Sequence, residues 1–359
     1  MRPAFRVLLS AFCILLFSSC ASPADREPAA PQLVFLNLGS SGQAQLVSQT
    51  DLHSPFTILQ YSIPSDCSVY NLYPNPVHSL LAAELLCNDQ ARVEIYDLQT
   101  GQTYLPVEQT DSRFLAWTAD GSQAYLKTDT LGSPQVVHIA VPGGKPEALP
   151  FPATLYDLAT LPDGRVVYSL TRGIGYGSET WLAEADGKPI RQLLAEPYAI
   201  IAYLRPSPDG SRIAFILFPD SQAPFPNGEL WVMNADGADP RRLAAADAGH
   251  GFAPAWSPGG TQIAFVVRAN ADDERVQQSA AALVSNVYRI EVQGGTLTAV
   301  TAFTDAIAGS PTWSPDGTML AFNVVRDGKM QAWVTSLTDA APAPLGEEFS
   351  CCAVWLPGR

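Results

Sequence analysis

The stretch that decides the fold reads Pro254-Ala-Trp256-Ser-Pro258-Gly-Gly-Thr-Gln-Ile-Ala264-Phe265, and it recurs as Pro311-Thr-Trp313-Ser-Pro315-Asp-Gly-Thr-Met-Leu-Ala321-Phe322. Each copy contains a short strand, a tight turn rich in Pro and Gly, and a second strand. Two copies so close together indicate an array of repeats, and an array determines the architecture before any single residue is interpreted.

Weaker copies extend the repeat along the chain. The position of Pro258 recurs at intervals of 42 to 57 residues. The equivalent positions are Pro74, Ala119, Pro162, Pro208, Pro258, Pro315 and Pro357. A four-stranded propeller blade repeats every ~40–45 residues. We therefore predict an all-β fold, namely a β-propeller of four-stranded blades.

The second strand of each repeat is apolar almost throughout, as in Arg212-Ile-Ala-Phe-Ile-Leu-Phe218. A continuous apolar run, rather than an alternating one, indicates a strand that is buried on both faces. In a propeller, the blades on either side would bury it.

The same repeat pattern predicts that the two ends of the chain complete one blade together. Residues 352–357 read as a first strand, and residues 32–61 read as strands two to four. Six whole repeats and this split one predict seven blades, closed by pairing of the N- and C-terminal strands. If 32–61 instead caps a neighbouring blade, the ring has six. Residues 32–359 are thus expected to form a single β-propeller domain.

The N-terminus reads as a targeting segment. Arg2 and Arg6 precede an apolar run at 7–17, which is too short to span a membrane, so we interpret 1–19 as a signal peptide. The ending Leu-Phe-Ser-Ser-Cys20 resembles a bacterial lipoprotein signal, which implies lipidation of Cys20. Residues 20–31 would then form a Pro/Ala-rich tether. The alternative is an ordinary signal cleaved nearby, with Cys20 incidental.

The charge limits the possible partners. The formal net charge is −14, and removal of Arg2 and Arg6 with the signal changes it to −16. Such an acidic body repels phosphate backbones and anionic lipid, so we expect no nucleic-acid binding and membrane contact through the lipid anchor only. The expected location is a cell membrane, facing the periplasm or the cell exterior.

The mature cysteines suggest a disulfide. Cys67 and Cys87 flank the Pro74 turn at similar distances, so they would face each other on an antiparallel hairpin. Export permits a bridge between them. Cys351 and Cys352 could form a vicinal bridge, pair with a cysteine of a neighbouring blade, or stay reduced.

Motifs for catalysis and cofactor binding are missing from the sequence. The histidines are scattered, and there is neither a His-Glu-x-x-His nor a Gly-x-Ser-x-Gly motif. We therefore expect no catalytic residue, no cofactor and no metal. An enzyme site in the central channel stays open as an alternative, because channel residues would come from first strands far apart in the chain.

The long insertions point to one face as the site of recognition. In a four-stranded meander, connections between strands two and three lie on the face opposite the tight turns. Three consecutive repeats carry insertions there, at 171–179, 218–228 and 268–285. Long loops on a rigid scaffold commonly bind partners. The candidate contact residues are Tyr176, Phe225, Arg268 and His250.

The repeats resemble those of the TolB β-propeller family, through Pro-x-Trp-Ser-Pro-Asp-Gly, an Ile-Ala-Phe strand, and an aromatic strand ending in Asp-Gly followed by Arg-Arg-Leu243. The resemblance implies the fold more than the activity, because such blades occur both in periplasmic scaffolds and in peptidases. The favoured hypothesis is a monomeric, non-catalytic scaffold that binds a protein or peptide of the cell envelope. The alternatives are a metal-assisted or carbohydrate-directed enzyme, and a structural protein without a dedicated ligand.

Overall fold

Antiparallel β-strands make up nearly all of the described chain. The structure is a computed structural model and describes residues 32–38, 44–50, 55–108, 111–130, 132–248, 252–338, 341–346 and 349–357. The predicted signal peptide at 1–19, the tether at 20–31 with Cys20, and the candidate contact residue His250 lie outside these ranges.

The described strands form four-stranded antiparallel groups in chain order, which we call units. The fifth and sixth groups share one eight-stranded sheet through a single parallel bridge between Ser285 and Ile307. Unit 1 contains β4 (Cys67–Pro74), β5 (Leu80–Cys87), β6 (Gln90–Asp97) and β7 (Thr103–Tyr104). Unit 2 contains β8 (Asp111–Trp117), β9 (Gln123–Thr130), β10 (Ser133–Ala140) and β11 (Glu147–Leu149). Unit 3 contains β12 (Leu155–Thr160), β13 (Val166–Thr171), β14 (Ser178–Ala183) and β15 (Pro189–Glu196).

The second half of the chain continues the pattern. Unit 4 contains β16 (Ala199–Pro206), β17 (Arg212–Pro219), β18 (Asn227–Asn234) and β19 (Arg241–Asp247). Unit 5 contains β20 (Ala255–Trp256), β21 (Gln262–Arg268), β22 (Ser285–Glu291) and β23 (Leu297–Ala299), with a short helix α1 (Arg275–Gln278) and a 3₁₀ turn (Ala280–Ala282) between β21 and β22. Unit 6 contains β24 (Ile307–Trp313), β25 (Met319–Arg326), β26 (Lys329–Ser336) and β27 (Ala343–Leu345).

The two ends of the chain share one sheet. β28 (Ser350–Leu356) pairs antiparallel with β1 (Gln32–Leu38), which continues into β2 (Ala44–Gln49) and β3 (Thr57–Ser62). We call this sheet the split unit. Its strand order is the one expected from the sequence, and the pairing covers the sheet edges that β1 and β28 would otherwise expose. With it, the described strands form seven such groups.

Hydrophobic clusters join each unit to the next. In the described residues, every buried cluster contains side chains of two consecutive units. Phe35 and Trp355 of the split unit pack with Ala332 of unit 6, and this cluster joins the last whole unit to the split one. Full burial of one large apolar side chain contributes ~1.5–3 kcal/mol. The prediction of an all-β propeller is confirmed.

The continuous apolar strands are buried on both faces, as predicted. In β17, Ile213 and Phe215 pack in the cluster shared with unit 3, whereas Ala214 and Ile216 pack in the cluster shared with unit 5. Successive side chains of a strand point to opposite faces, so a strand between two blades must be apolar at every position.

The Asp-Gly turns are fixed by their own side chains. Asp209 Oδ1 accepts hydrogen bonds from Ser207 Oγ (2.5 Å) and from the Ser211 backbone N–H (3.0 Å). Donation from Ser207 and Ser211 lowers the pKa of Asp209 to about 2. Gly210 has a φ of +68°, and a Cβ there would lie 2.7 Å from Pro162 of the preceding unit. The turns therefore pack against one another, which explains why they are short.

The recurring tryptophans connect neighbouring units. Three of the indole N–H groups donate to a first-strand carbonyl of the preceding unit, which lies one repeat earlier in the chain. The three bonds are Trp117 to Tyr73 (3.1 Å), Trp256 to Arg205 (2.7 Å) and Trp313 to Ala255 (2.9 Å). The recurrence of tryptophan is thus explained by packing between blades.

Candidate functional site

The three insertions lie where the sequence places them, after the second strand of units 3, 4 and 5. They connect β13 to β14, β17 to β18, and β21 to β22. The connections from a fourth strand to the next first strand reach the same side of the sheets, since Asp220 N of the unit 4 insertion donates to Tyr198 O of the link between β15 and β16 (3.0 Å). We call this side the loop face, and the side with the Asp-Gly turns the turn face.

Tyr176 is exposed on a loop that the next unit fixes in position. Its side chain is 69% exposed. Asp220 Oδ2 of unit 4 accepts hydrogen bonds from the backbone N–H groups of Gly175 (2.8 Å) and Gly177 (2.7 Å). These bonds lower the pKa of Asp220. Tyr176 is therefore presented to solvent by an anchored loop, as a recognition residue requires.

Phe225 and Arg268 belong to the framework of the loops. Arg268 is only 4% exposed and forms an ion pair with Asp247 (2.7 Å). Its Nη1 also donates to Phe225 O (3.0 Å), and Phe225 N donates to Gln277 O of the unit 5 insertion (3.1 Å). The Arg268 side chain thus lies beneath the surface and fixes two insertions, whereas the half-buried Phe225 remains at their junction.

Tyr198 is the most exposed large apolar side chain in the described residues, at 85%, and the sequence reasoning missed it. It borders an open cavity of about 480 Å³ whose lining includes Phe218, Pro219, Ala245 and Val267. The sequence signal for Tyr198 is an aromatic residue in a two-residue link between strands. A short link on the loop face exposes its side chain as well as a long insertion does.

First strands of the units line a central channel. Two adjoining cavities of about 810 and 570 Å³ share side chains from units 1, 2, 3, 4, 6 and the split unit. Six of these strands contain a β-bulge, in which two residues oppose one on the partner strand. Residues at the bulges that line the larger cavity are Tyr70, Leu115, Tyr156, Tyr203, Ser310 and Cys352.

Aromatic side chains from several units line the channel. Tyr70 and Tyr156 are 62% and 43% exposed, and burial is the main cause that raises the pKa of Tyr203. Deeper in the channel, the Tyr73 and Phe114 rings are stacked with centroids 4.5 Å apart. The 3₁₀ turn of the unit 5 insertion contributes Ala280 to the larger cavity, so this end of the channel opens toward the loop face.

Charged groups of both signs lie in the channel. Glu84 is buried and accepts hydrogen bonds from Arg113 Nη1 (3.0 Å) and the Tyr73 hydroxyl (3.2 Å). Asp157 accepts from the backbone N–H groups of Leu158 (2.9 Å) and Leu204 (2.6 Å). Each carboxylate therefore already has donors from the protein at both of its oxygens.

The cysteines occupy two environments. Cys67 and Cys87 form the predicted disulfide between β4 and β5, where they are directly opposed in register. Cys351 and Cys352 carry free thiols; Cys351 is buried, and Cys352 lies in the channel at the β28 bulge with a φ of +60°. The described residues contain no group of three or more His, Cys, Asp or Glu side chains arranged to bind a metal ion.

No helix within the described ranges has the length and hydrophobicity needed to cross a bilayer.

Comparison with known sequences identifies the repeat family. The sequence profile of the family described as the TolB beta propeller domain matches residues 160–350, which is more than half of the chain. No curated protein sequence matches at a significant level.

Solved structures with this fold include both enzymes and TolB. Oligogalacturonate lyase from Vibrio parahaemolyticus superposes with a TM-score of 0.62 at 11% identity, covering 89% of this chain and 93% of that one. An oligogalacturonate lyase in complex with manganese gives 0.60 at 13% identity and 86% of both chains. TolB from Acinetobacter baumannii gives 0.50 at 16% identity, covering 88% of this chain and 79% of that one. At such identities the likeness establishes the fold alone.

Proposed function

The chain belongs to the TolB beta propeller domain family, and on that premise we propose that it is an exported, lipid-anchored scaffold that binds a protein or peptide of the cell envelope without catalysis. The observation that carries the proposal is the concentration of exposed aromatic side chains on the loop face and at the channel. They are Tyr70, Tyr156, Tyr176, Tyr198 and Phe349.

Aromatic residues of this kind suit protein recognition. Tyrosine offers a large apolar ring and a hydroxyl at low entropic cost, and it is enriched at protein interfaces. Tyr176 is fixed by Asp220, and the link that carries Tyr198 is bonded to the same residue. The two rings are therefore presented from a pre-ordered surface, which lowers the cost of binding.

The test is photo-crosslinking in the native envelope. A benzophenone amino acid replaces Tyr176 in one variant, Tyr198 in a second, and Val77 in a third as the control, because Val77 is exposed in the β4–β5 turn on the turn face. We expect Tyr176 and Tyr198 to yield the same crosslinked protein and Val77 to yield none. Crosslinks from Val77 alone would refute the assignment of the loop face.

The anchor is tested separately. We expect a labelled fatty acid to be incorporated into the wild-type protein and not into a Cys20→Ser variant. Incorporation that persists in Cys20→Ser would refute the anchor without bearing on the loop face.

A carbohydrate-directed enzyme is the second candidate, and the tyrosine-lined channel favours it. Sugar rings stack on aromatic faces, and the structures with TM-scores of 0.60 and 0.62 are oligogalacturonate lyases. Incubation with oligogalacturonate, with and without manganese, distinguishes the candidates. Manganese-dependent product formation by the purified protein would replace the scaffold proposal, whereas an unchanged substrate supports it.

A further inference from the structure

The cations of the central channel form an unusual arrangement on its wall. Arg113 of β8 lies directly opposite Lys127 of β9 in the antiparallel register, and both side chains line the larger cavity. Like charges directly opposite on two strands destabilise a sheet. Arg205 of β16 lines the adjoining cavity. The two adjoining cavities thus contain three cations, although the net charge of the protein is −14.

The acids of the channel are already used, whereas the guanidinium groups retain free donors. Both oxygens of Glu84 and of Asp157 accept hydrogen bonds from the protein. Arg113 uses Nη1 on Glu84, and half of its side chain stays exposed. Arg205 uses Nη1 on the Leu204 carbonyl (2.8 Å) and has no carboxylate partner among the described residues. A guanidinium has five N–H donors, so most of them remain available to a ligand.

Lys127 adds positive charge to the channel wall, but its ammonium group already has a partner in the protein. Its Nζ donates to the Leu155 carbonyl (2.6 Å). Burial lowers the pKa of Lys127, with Asp129 opposing the shift. The charged side chains of the described channel wall are therefore three cations, Arg113, Lys127 and Arg205, and two anions, Glu84 and Asp157. The wall therefore offers guanidinium donors to an anion, whereas both oxygens of Glu84 and of Asp157 already accept a hydrogen bond from the protein.

We propose that the channel binds the carboxylates of an acidic peptide segment, with Arg113 and Arg205 as the residues that contact them. The inference rests on the proposed function, since it names the chemistry of the bound partner. A peptide is taken as the source of these carboxylates because the proposed function is the binding of a protein or peptide, and the test below distinguishes it from an acidic saccharide.

The tyrosines complete the site. Tyr70, Tyr156 and Tyr203 line the same cavity. These rings can cover the apolar portion of a peptide while the guanidinium groups bind its carboxylates in charge-assisted pairs. The acidic body repels anions elsewhere on the protein, so binding is confined to the channel.

The test uses the full mature chain and a fluorescent oligoglutamate peptide, followed by fluorescence anisotropy. Oligoserine and oligolysine peptides of equal length are the comparison probes. The variants are Arg113→Gln and Arg205→Gln, and the control is Arg191→Gln, which removes an equal charge from an exposed position on β15. Arg205→Gln is the decisive variant, because Arg113→Gln also leaves the buried Glu84 without its cation.

We expect oligoglutamate to bind in preference to both comparison peptides, and Arg205→Gln to weaken it about tenfold or more, since charge-assisted hydrogen bonds are lost. Arg191→Gln should bind as the wild type does. Binding should weaken as salt increases. Equal binding by Arg205→Gln and wild type, or failure of oligoglutamate to bind, would overturn the proposal. So would tighter, Arg205-dependent binding of trigalacturonate, which would assign the site to acidic saccharides.

The result of the peptide-binding test can be distinguished from the result of the crosslinking test of the scaffold proposal. If oligoglutamate fails while Tyr176 and Tyr198 still crosslink one envelope protein, the channel chemistry is wrong and the scaffold function stands. If oligoglutamate binds and crosslinks form only from the turn face, the channel site stands and the loop-face assignment fails.

Discussion

Arg268 and Asp247 form a buried ion pair in which Nη2 and Oδ1 are 2.7 Å apart. Asp247 ends β19 of unit 4, and Arg268 ends β21 of unit 5. Because Arg268 also donates to the Phe225 carbonyl, one guanidinium links two units and an insertion. The loop face is therefore ordered from beneath by a charge that solvent does not reach.

Removal of this guanidinium is expected to be costly. Arg268→Ala leaves the Asp247 carboxylate buried without its cation, and breaking such a pair costs ~3–5 kcal/mol in the free energy of unfolding. Urea denaturation measures the loss. Arg275→Ala is the control, because its ion pair with Asp273 is exposed and should contribute little. Equal losses in the two variants would show that the buried pair has no special role.

Two tryptophans at equivalent repeat positions are expected to differ. The Trp313 indole donates to Ala255 O (2.9 Å), whereas the buried Trp355 indole has no partner in the described residues. Phenylalanine retains most of the packing and removes the N–H. Trp313→Phe should therefore lose ~1 kcal/mol more stability than Trp355→Phe in chemical denaturation. The reverse order would mean that the bond between units is not stabilising.

The Asp-Gly turns predict a loss of stability in acid. Hydrogen bonds from Ser207 and Ser211 lower the pKa of Asp209 from 3.8 to about 2. A depressed carboxyl pKa adds stability that is present above the unfolded value and is lost as the pH falls from about 4 toward 2. Ser207→Ala should raise the Asp209 pKa, as followed by carboxyl NMR, while Ser221→Ala in the unit 4 insertion should not. An unchanged Asp209 titration in Ser207→Ala would contradict this account.

The thiol of Cys352 is expected to react slowly. A hydrogen bond with Cys351, together with burial, raises the pKa of Cys352. Because the thiolate is the reactive form, iodoacetamide should alkylate Cys352 more slowly than it alkylates free cysteine at pH about 8. Cys351→Ala removes the larger cause and should accelerate the reaction at Cys352. A rate equal to that of free cysteine in the wild-type protein would contradict the raised pKa.

Local sequence was sufficient to predict the blades. The turn around Asp209 is fixed by hydrogen bonds from Ser207 and Ser211, which lie two positions away. The continuous apolar sequence of 212–218 predicts a strand that is buried on both faces, and its side chains pack in two different clusters. The pairing of β1 with β28 was also predictable, because one incomplete repeat at each end requires the other. The Cys67–Cys87 disulfide followed from hairpin register.

Only the tertiary structure decided what lies at the site. Arg268 looked like a surface contact in an insertion, and its burial depends on Asp247, which belongs to another unit. The channel brings Tyr73, Asp157 and Tyr203 to shared cavities from first strands far apart in the chain, and no local sequence pattern predicts that they line one site. Repeats encode turns and strands through neighbours in sequence. The ring brings distant residues together through packing between blades, so the sequence by itself determined the fold while the tertiary structure determined the channel.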